Sequence, residues 1–229
     1  MAQNKVKWGV IGAGGIADRR TIPGMMLAKN AELVAVMEVN MELAEKLRAK
    51  YGAKRAYDDV DALLADPEVE AVYIATPVTC HKEQAIKAAK AKKHILIEKP
   101  VALTVAEGKE VLDICNKEGV LTASGFMMRF HAYHQKMREL VAEGRLGQVV
   151  SARAQFTCWY PDIPGAWRQD KKLSGGGALM DLGVHSIDLL QYVLGSKAKT
   201  VAAFSGTNTF HYNVDDSTSL MFTTENGTY

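Results

Sequence analysis

The sequence predicts an α/β protein whose first half is a doubly wound parallel sheet, and three observations predict it. A glycine-rich turn, Gly12-Ala13-Gly14-Gly15-Ile16-Ala17, directly follows a short apolar, β-leaning run. Apolar runs then alternate with helical segments as far as about residue 125. Those runs are nearly continuous in apolar residues, the mark of strands covered on both faces.

Val6-Lys7-Trp8-Gly9-Val10-Ile11 is the first strand. The turn after it has the form G-x-G-x-x-A: Gly12 permits the tight bend, Gly14 lets backbone approach a pyrophosphate, and Ala17 lets the next helix pack close. Gly15 and Ile16 complete a loop whose amides open a helix N-terminus suited to phosphate. Pro23-Gly24 is expected to break that helix early. Leu33–Met37 forms the second strand and ends at Glu38, placed to accept a ribose 2′-hydroxyl. A carboxylate there repels a 2′-phosphate, so NAD is expected over NADP.

The alternation continues with a helix over 41–51 behind Asn40 as N-cap, a strand near 55–57 and a helix over 59–65. A buried strand over 71–75, a helix over 80–92 and a strand over 94–97 come next. Thr104 and Glu107 form a capping box that opens a helix to Glu118. A last strand covers 120–123. Such sheets bind ligands at the C-terminal ends of their strands, and two features sit there. Thr76-Pro77 is small and rigid, suited to backing a flat cofactor. Glu98-Lys99-Pro100 follows the 94–97 strand directly, and a lysine fixed between a strand end and a proline is poorly placed to be a free, solvated one.

The second half predicts a helix over 133–143, then strands over 149–156, 199–207 and 217–223. A long loop over 157–174 holds Trp159, Tyr160, Trp167 and Arg168. It reads as a substrate wall, because Trp and Tyr offer an apolar face with a polar tip and Arg168 suits hydroxyls or a carboxylate. Gly175-Gly176-Gly177 reads as a flexible run leading into a helix of about four turns that Gly195 closes. At about 100° per residue, Asp181, His185, Asp188 and Tyr192 share a narrow polar stripe opposite an apolar arc. Residues 178–194 contain no Lys and no Glu, so the stripe is not an ordinary solvated face. Asp181 and His185, spaced i, i+4, read as an acid–base pair.

Charge excludes other functions. With 28 basic and 26 acidic residues and no basic block, nothing predicts a nucleic-acid or membrane-surface partner. No apolar run is long enough for a membrane span, and no signal-peptide pattern precedes the first strand, so a cytoplasmic protein is expected. Cys80, Cys115 and Cys158 lack C-x-x-C spacing and read as reduced, buried thiols. No metal site is expected. His81, His94, His131, His134 and His211 read as structural or surface histidines.

The order G-x-G-x-x-A, strand-terminal acid, A-T-P, E-K-P and then G-G-G-x-L-x-D-x-G-x-H-x-x-D resembles the Gfo/Idh/MocA family of glucose–fructose oxidoreductases and inositol dehydrogenases, over essentially the whole chain. The resemblance implies a nucleotide-binding Rossmann domain over 1–125. It implies a substrate and oligomerisation domain over 126–229, with an open, mainly antiparallel sheet. Lys99, Asp181 and His185 would be the catalytic trio. Ser124–Phe130 matches a family segment that usually carries Asn where Met127 stands, which puts one polar contact in doubt, while Arg129 is retained. Substrate contacts would come from Lys99, Arg129, Trp167, Arg168, Asp181, His185 and Asp188. Cofactor contacts would come from Gly12, Gly14, Gly15, Ile16, Ala17, Glu38, Thr76, Pro77, Glu98 and Lys99.

The implied activity is NAD-dependent hydride transfer at a secondary alcohol or carbonyl of a sugar, cyclitol or polyol, by a homo-oligomer (dimer or tetramer). Two relatives' activities stand as alternatives: redox-assisted glycoside cleavage with tightly held NAD, and a nucleotide-binding sensor without turnover. Asn226-Gly227 is a strong hairpin signal, yet only Thr228 and Tyr229 follow it and family members continue further. The chain therefore reads as C-terminally truncated.

Overall fold

A computed structural model describes residues 5–229, which fall into two compact units, one ending at Gly125 and one running Phe126–Tyr229. In the first unit, β1 (Val6–Ile11) leads through a wide π turn (Ala13–Thr21) into α1 (Ile22–Leu27). There follow β2 (Ala31–Met37), α2 (Met41–Tyr51), β3 (Arg55–Tyr57), α3 (Val60–Leu64), β4 (Ala71–Ile74), α4 (Val78–Lys90), β5 (His94–Ile97), α5 (Val105–Glu118) and β6 (Thr122–Ser124). All six strands are parallel, in the order β3-β2-β1-β4-β5-β6. The order reverses between β1 and β4, so the crevice at their C-terminal ends is the place a doubly wound sheet offers a ligand.

Apolar strand residues divide cleanly between the two faces. Val10, Val36 and Tyr73 pack with Ala13, Ala17, Ile22 and Leu47. Ile11, Val34, Val72, Ile74, Ile95 and Ile97 pack with Leu63, Ala85, Ala88, Ala89, Val111 and Cys115 on the other. Burial on both faces is why these strands read as unbroken apolar runs rather than alternating ones. The caps follow local chemistry: the Asn40 side chain accepts from Leu43 N at 3.0 Å, and Thr104 and Glu107 form the reciprocal box.

Pro23 departs from expectation. Instead of breaking the first helix it occupies the first turn of α1, where a missing N–H costs nothing, and the chain stays helical to Leu27. The discontinuity lies earlier, at Gly15, whose φ of −95° and ψ of −116° are not helical.

The second unit holds α6 (Ala132–Ala142), a short helix α7 (Lys171–Ser174), a π turn (Leu179–Gly183) continuing into α8 (Val184–Leu194), and the antiparallel pair β7 (Ala198–Gly206) and β8 (Ser217–Thr224). The strand expected over 149–156 is absent. Val149 and Val150 carbonyls accept from Thr228 Oγ1 and Tyr229 N, and Ala152 N donates to Tyr229 O. These bonds to Thr228 and Tyr229 do not extend into a ladder. Among the described residues no helix is long and apolar enough to cross a membrane.

Cysteines give a second correction. Cys115 is buried, but Cys80 is half-buried and Cys158 exposed on the irregular segment before α7. All three are free thiols.

Candidate active site

The first unit's candidate residues gather at strand ends. Gly12 leaves β1 in the left-handed region (φ 79°), and a Cβ there would come within 2.8 Å of Thr76 Cγ2 and 2.9 Å of Thr76 N. A side chain at Gly14 would meet Leu43 and Glu38, whereas one at Gly15 would meet nothing within 4 Å. Thus Gly12 and Gly14 are fixed by the protein's own packing, and Gly15 leaves the outer face of the loop open. Ile16 is half-buried and Ala17 fully buried, letting the turn lie close to the sheet. Glu38 stands at the end of β2 with Oε2 accepting from Gly14 N at 2.9 Å and Oε1 accepting from Val39 N at 3.1 Å. A loop left open at Gly15 beside a fixed carboxylate fits a dinucleotide: pyrophosphate against the loop, ribose hydroxyl against Glu38.

Thr76 and Pro77 join β4 to α4, and the Thr76 hydroxyl donates to Gln84 Oε1 at 2.6 Å. Glu98 and Lys99 follow β5. The Glu98 carboxylate accepts from the Tyr73 hydroxyl and from the Lys99 backbone N–H. Tyr73 in turn accepts from Thr21 Oγ1 at 2.9 Å. Burial, then the Glu98 charge, pushes the Tyr73 phenol well above its usual pKa, so it stays a donor. Gly125 leaves room for this carboxylate, since a Cβ there would come to 3.3 Å of Glu98 Oε1.

Tyr73 lies in the buried β4, and His81 reads in the sequence as a structural or surface histidine. His81 is 1% exposed, with Nδ1 2.9 Å from Pro100 O and Nε2 2.9 Å from Thr76 O. The buried ring thus lies between both strand-end segments, the one that would back the cofactor and the one that carries Lys99, and in its neutral form donates its single N–H to one of the two carbonyls.

In the second unit, the π turn and α8 carry Asp181, His185 and Asp188. His185 is 5% exposed, with the Phe126 and Phe156 rings at 6.2 and 5.9 Å. Asp188 is also buried, and its carboxylate receives Arg129 through both Nε and Nη2. A buried carboxylate requires such a partner. Arg129 further lies 5.5 Å over the Tyr192 ring. Asp181 keeps more exposure and has Arg168 Nε at 3.6 Å, while Arg168 also covers the Trp167 ring at 4.4 Å. Met127, on the segment that leads to Arg129, is 59% exposed.

The expected helix is continuous to Gly195 but not uniformly α, because Asp181 sits inside a wide turn. The glycine run before it is also not a flexible one. Asp215 Oδ1 accepts from Gly177 N and Oδ2 from Leu179 N, each at 2.7 Å. Nothing in the local sequence around Asp215 marked it.

The fold and the loop together define a dinucleotide-binding α/β protein. The chain belongs to the Gfo/Idh/MocA family: residues 6–126 match the model of the oxidoreductase family with the NAD-binding Rossmann fold, and residues 134–229 match the Gfo/Idh/MocA C-terminal domain. It is 34% identical over 199 residues to 1,5-anhydro-D-fructose reductase of Ensifer adhaerens, covering 87% of this chain and 60% of that protein. It is 36% identical over 210 residues to D-glucoside 3-dehydrogenase of Escherichia coli (strain K12), covering 90% and 59%. A solved levoglucosan dehydrogenase, in complex with NADH and levoglucosan, superposes with a TM-score of 0.88 at 28% identity, covering 98% of this chain and 65% of that one. The chain thus spans about 60% of the length of the curated relatives it matches.

Proposed function

We propose that this chain is an NAD-dependent dehydrogenase or reductase that works on a secondary alcohol or carbonyl of a sugar, cyclitol or polyol. The observation that carries the reading is a helix face of buried His185, buried Asp188 and Asp181 in a chain that also carries the open Gly12–Ala17 loop. A purely structural helix has no need of that set. The relatives named above act on sugars, and one holds NADH, which supports the substrate class and the cofactor.

When bound, the nicotinamide supplies the hydride acceptor or donor. In oxidation His185 takes the substrate hydroxyl proton, and in reduction it returns one, a role imidazole suits because it both accepts and donates a proton at a ring nitrogen. Asp181 stabilises the protonated imidazole. Lys99 donates to the reacting oxygen and offsets its developing negative charge. Arg168 and Trp167 offer a donor and an apolar face to a polyhydroxylated ring, and the Arg129–Asp188 pair orders the segment beside them. Glu38 favours NAD over NADP.

Lys99→Ala and His185→Ala should each lower kcat by about 10²–10⁴-fold, with NADH binding measured separately to tell a lost cofactor contact at Lys99 from lost catalysis. Near-normal turnover in either would sink the trio. The reading includes a cytoplasmic dimer or tetramer joined through β7–β8, whose Val201, Phe204 and Met221 are exposed in this chain. A monomer by light scattering of the same preparation would contradict it.

A further inference from the structure

Three consecutive amides open the helix that carries Asp181 and His185, and one residue takes all three. Gly177 N donates to Asp215 Oδ1, Ala178 N to the Asp215 carbonyl and Leu179 N to Asp215 Oδ2, each at 2.7 Å. Thr218 Oγ1 donates to the same Oδ2 at 3.1 Å. Asp215 itself stands on an ordered base. Next to it, Asp216 accepts from the backbone N–H groups of Asn208, Thr209 and Phe210, which hold its carboxyl below the usual range.

The glycine run follows from this contact. A Cβ on Gly177 would fall 1.9 Å from the Asp215 carbonyl oxygen, a position no side chain can share. Gly177 is therefore the residue that lets the β7–β8 connection reach the helix start. The carboxylate satisfies two amides that a helix N-terminus leaves without intrahelical partners, and its negative charge meets the positive end of the helix dipole. The π turn begins at Leu179, inside the clamp, and Asp181 N then donates to Gly177 O at 2.9 Å.

We propose that Asp215 is a positioning residue for the reaction: its three-point clamp on Gly177, Ala178 and Leu179 sets the origin of the wide turn, and so the placement of Asp181 against His185. This rests on the proton-handling role given to Asp181 and His185 under the proposed function. Asp215 touches neither substrate nor cofactor in this account. Its effect on rate passes through Asp181 and His185.

The test compares Asp215→Ala, Asp215→Asn and Gly177→Ala, each checked by circular dichroism for a folded chain. Asp215→Asn keeps one carboxamide oxygen as acceptor. Gly177→Ala presses on the clamp from the other side and leaves Asp215 intact. Asp215→Ala and Gly177→Ala should lower kcat by about 10–10²-fold, the scale of a misplacement near 1 Å, with KM for NADH little changed and Asp215→Asn in between. In a His185→Ala background Asp215→Ala should add less than about twofold, whereas a general loss of structure would multiply through.

The His185 imidazole resonance and its titration midpoint should also move in Asp215→Ala and Gly177→Ala. An unmoved His185 signal in folded variants overturns the clamp whether or not the enzyme turns over. Full activity of His185→Ala instead overturns the trio, and the His185 signal, read in the His185-containing variants, still decides the clamp.

Discussion

In the proposed cofactor site, one carboxylate at the end of β2 has to tell two nucleotides apart. Glu38 is held by Gly14 N and Val39 N, so its charge is fixed beside the loop rather than free to swing away. A fixed negative charge accepts a ribose hydroxyl and repels a 2′-phosphate. In a thermal-shift titration NADH should therefore stabilise the chain more than NADPH. A ligand at about 100 times its Kd adds roughly 2.7 kcal/mol when it binds only the folded state. Glu38→Ala should narrow the difference, and a larger shift with NADPH on the unaltered chain would overturn this role. At this scale the sequence was legible wherever chemistry is local. The position of Glu38 beside the glycine loop could be read because a strand end and that loop have a fixed spacing. Asp188 could be singled out, but not its engagement with Arg129, a partner 59 residues away in sequence.

Elements were legible when their signals lay inside them. The Thr104–Glu107 box, the Asn40 cap and the apolar strands β1, β2, β4 and β5 needed no distant partner. The failures have the opposite character. The run Gly175–Gly177 looked flexible because Asp215, which pins it, lies 38 residues beyond Gly177. The π turn at Leu179–Gly183 has no signature of its own in a sequence that satisfies α-helical spacing. Residues 149–156 have strand composition, yet composition does not supply a pairing partner.

α4 offers a pH test at the same scale. Burial pushes the His81 pKa down, against the pull of the Thr76 and Pro100 carbonyls and the Glu98 charge. As pH falls through about 6.5 the unfolded chain takes up the proton first, so the stability present above that pH is lost as pH falls. The melting temperature should drop from pH 7 towards pH 5, and His81→Leu, although less stable throughout, should show a shallower drop. Equal slopes would mean that His81 does not hold the strand ends as described.

For the molecule as a whole, two units divide the labour in sequence order: a parallel sheet whose strand ends carry the glycine loop, Glu38, Thr76 and Lys99, and a second unit whose long helix carries Asp181 and His185. Family membership follows from both halves, since each matches its own family model. Under the proposed function, the loop with Trp167 and Arg168 offers general sugar chemistry. Every role proposed above serves net hydride transfer from a polyol to NAD. Nicotinamide absorbance decides it, on mixing this chain with NAD and, in turn, levoglucosan, D-glucose, methyl β-D-glucoside and myo-inositol. Sugar-dependent NADH formation is expected with at least one of them, lost in His185→Ala. Binding of NADH with no turnover across the panel would contradict it in favour of a sensor, and cleavage of the glucoside without net NADH would contradict it in favour of redox-assisted hydrolysis.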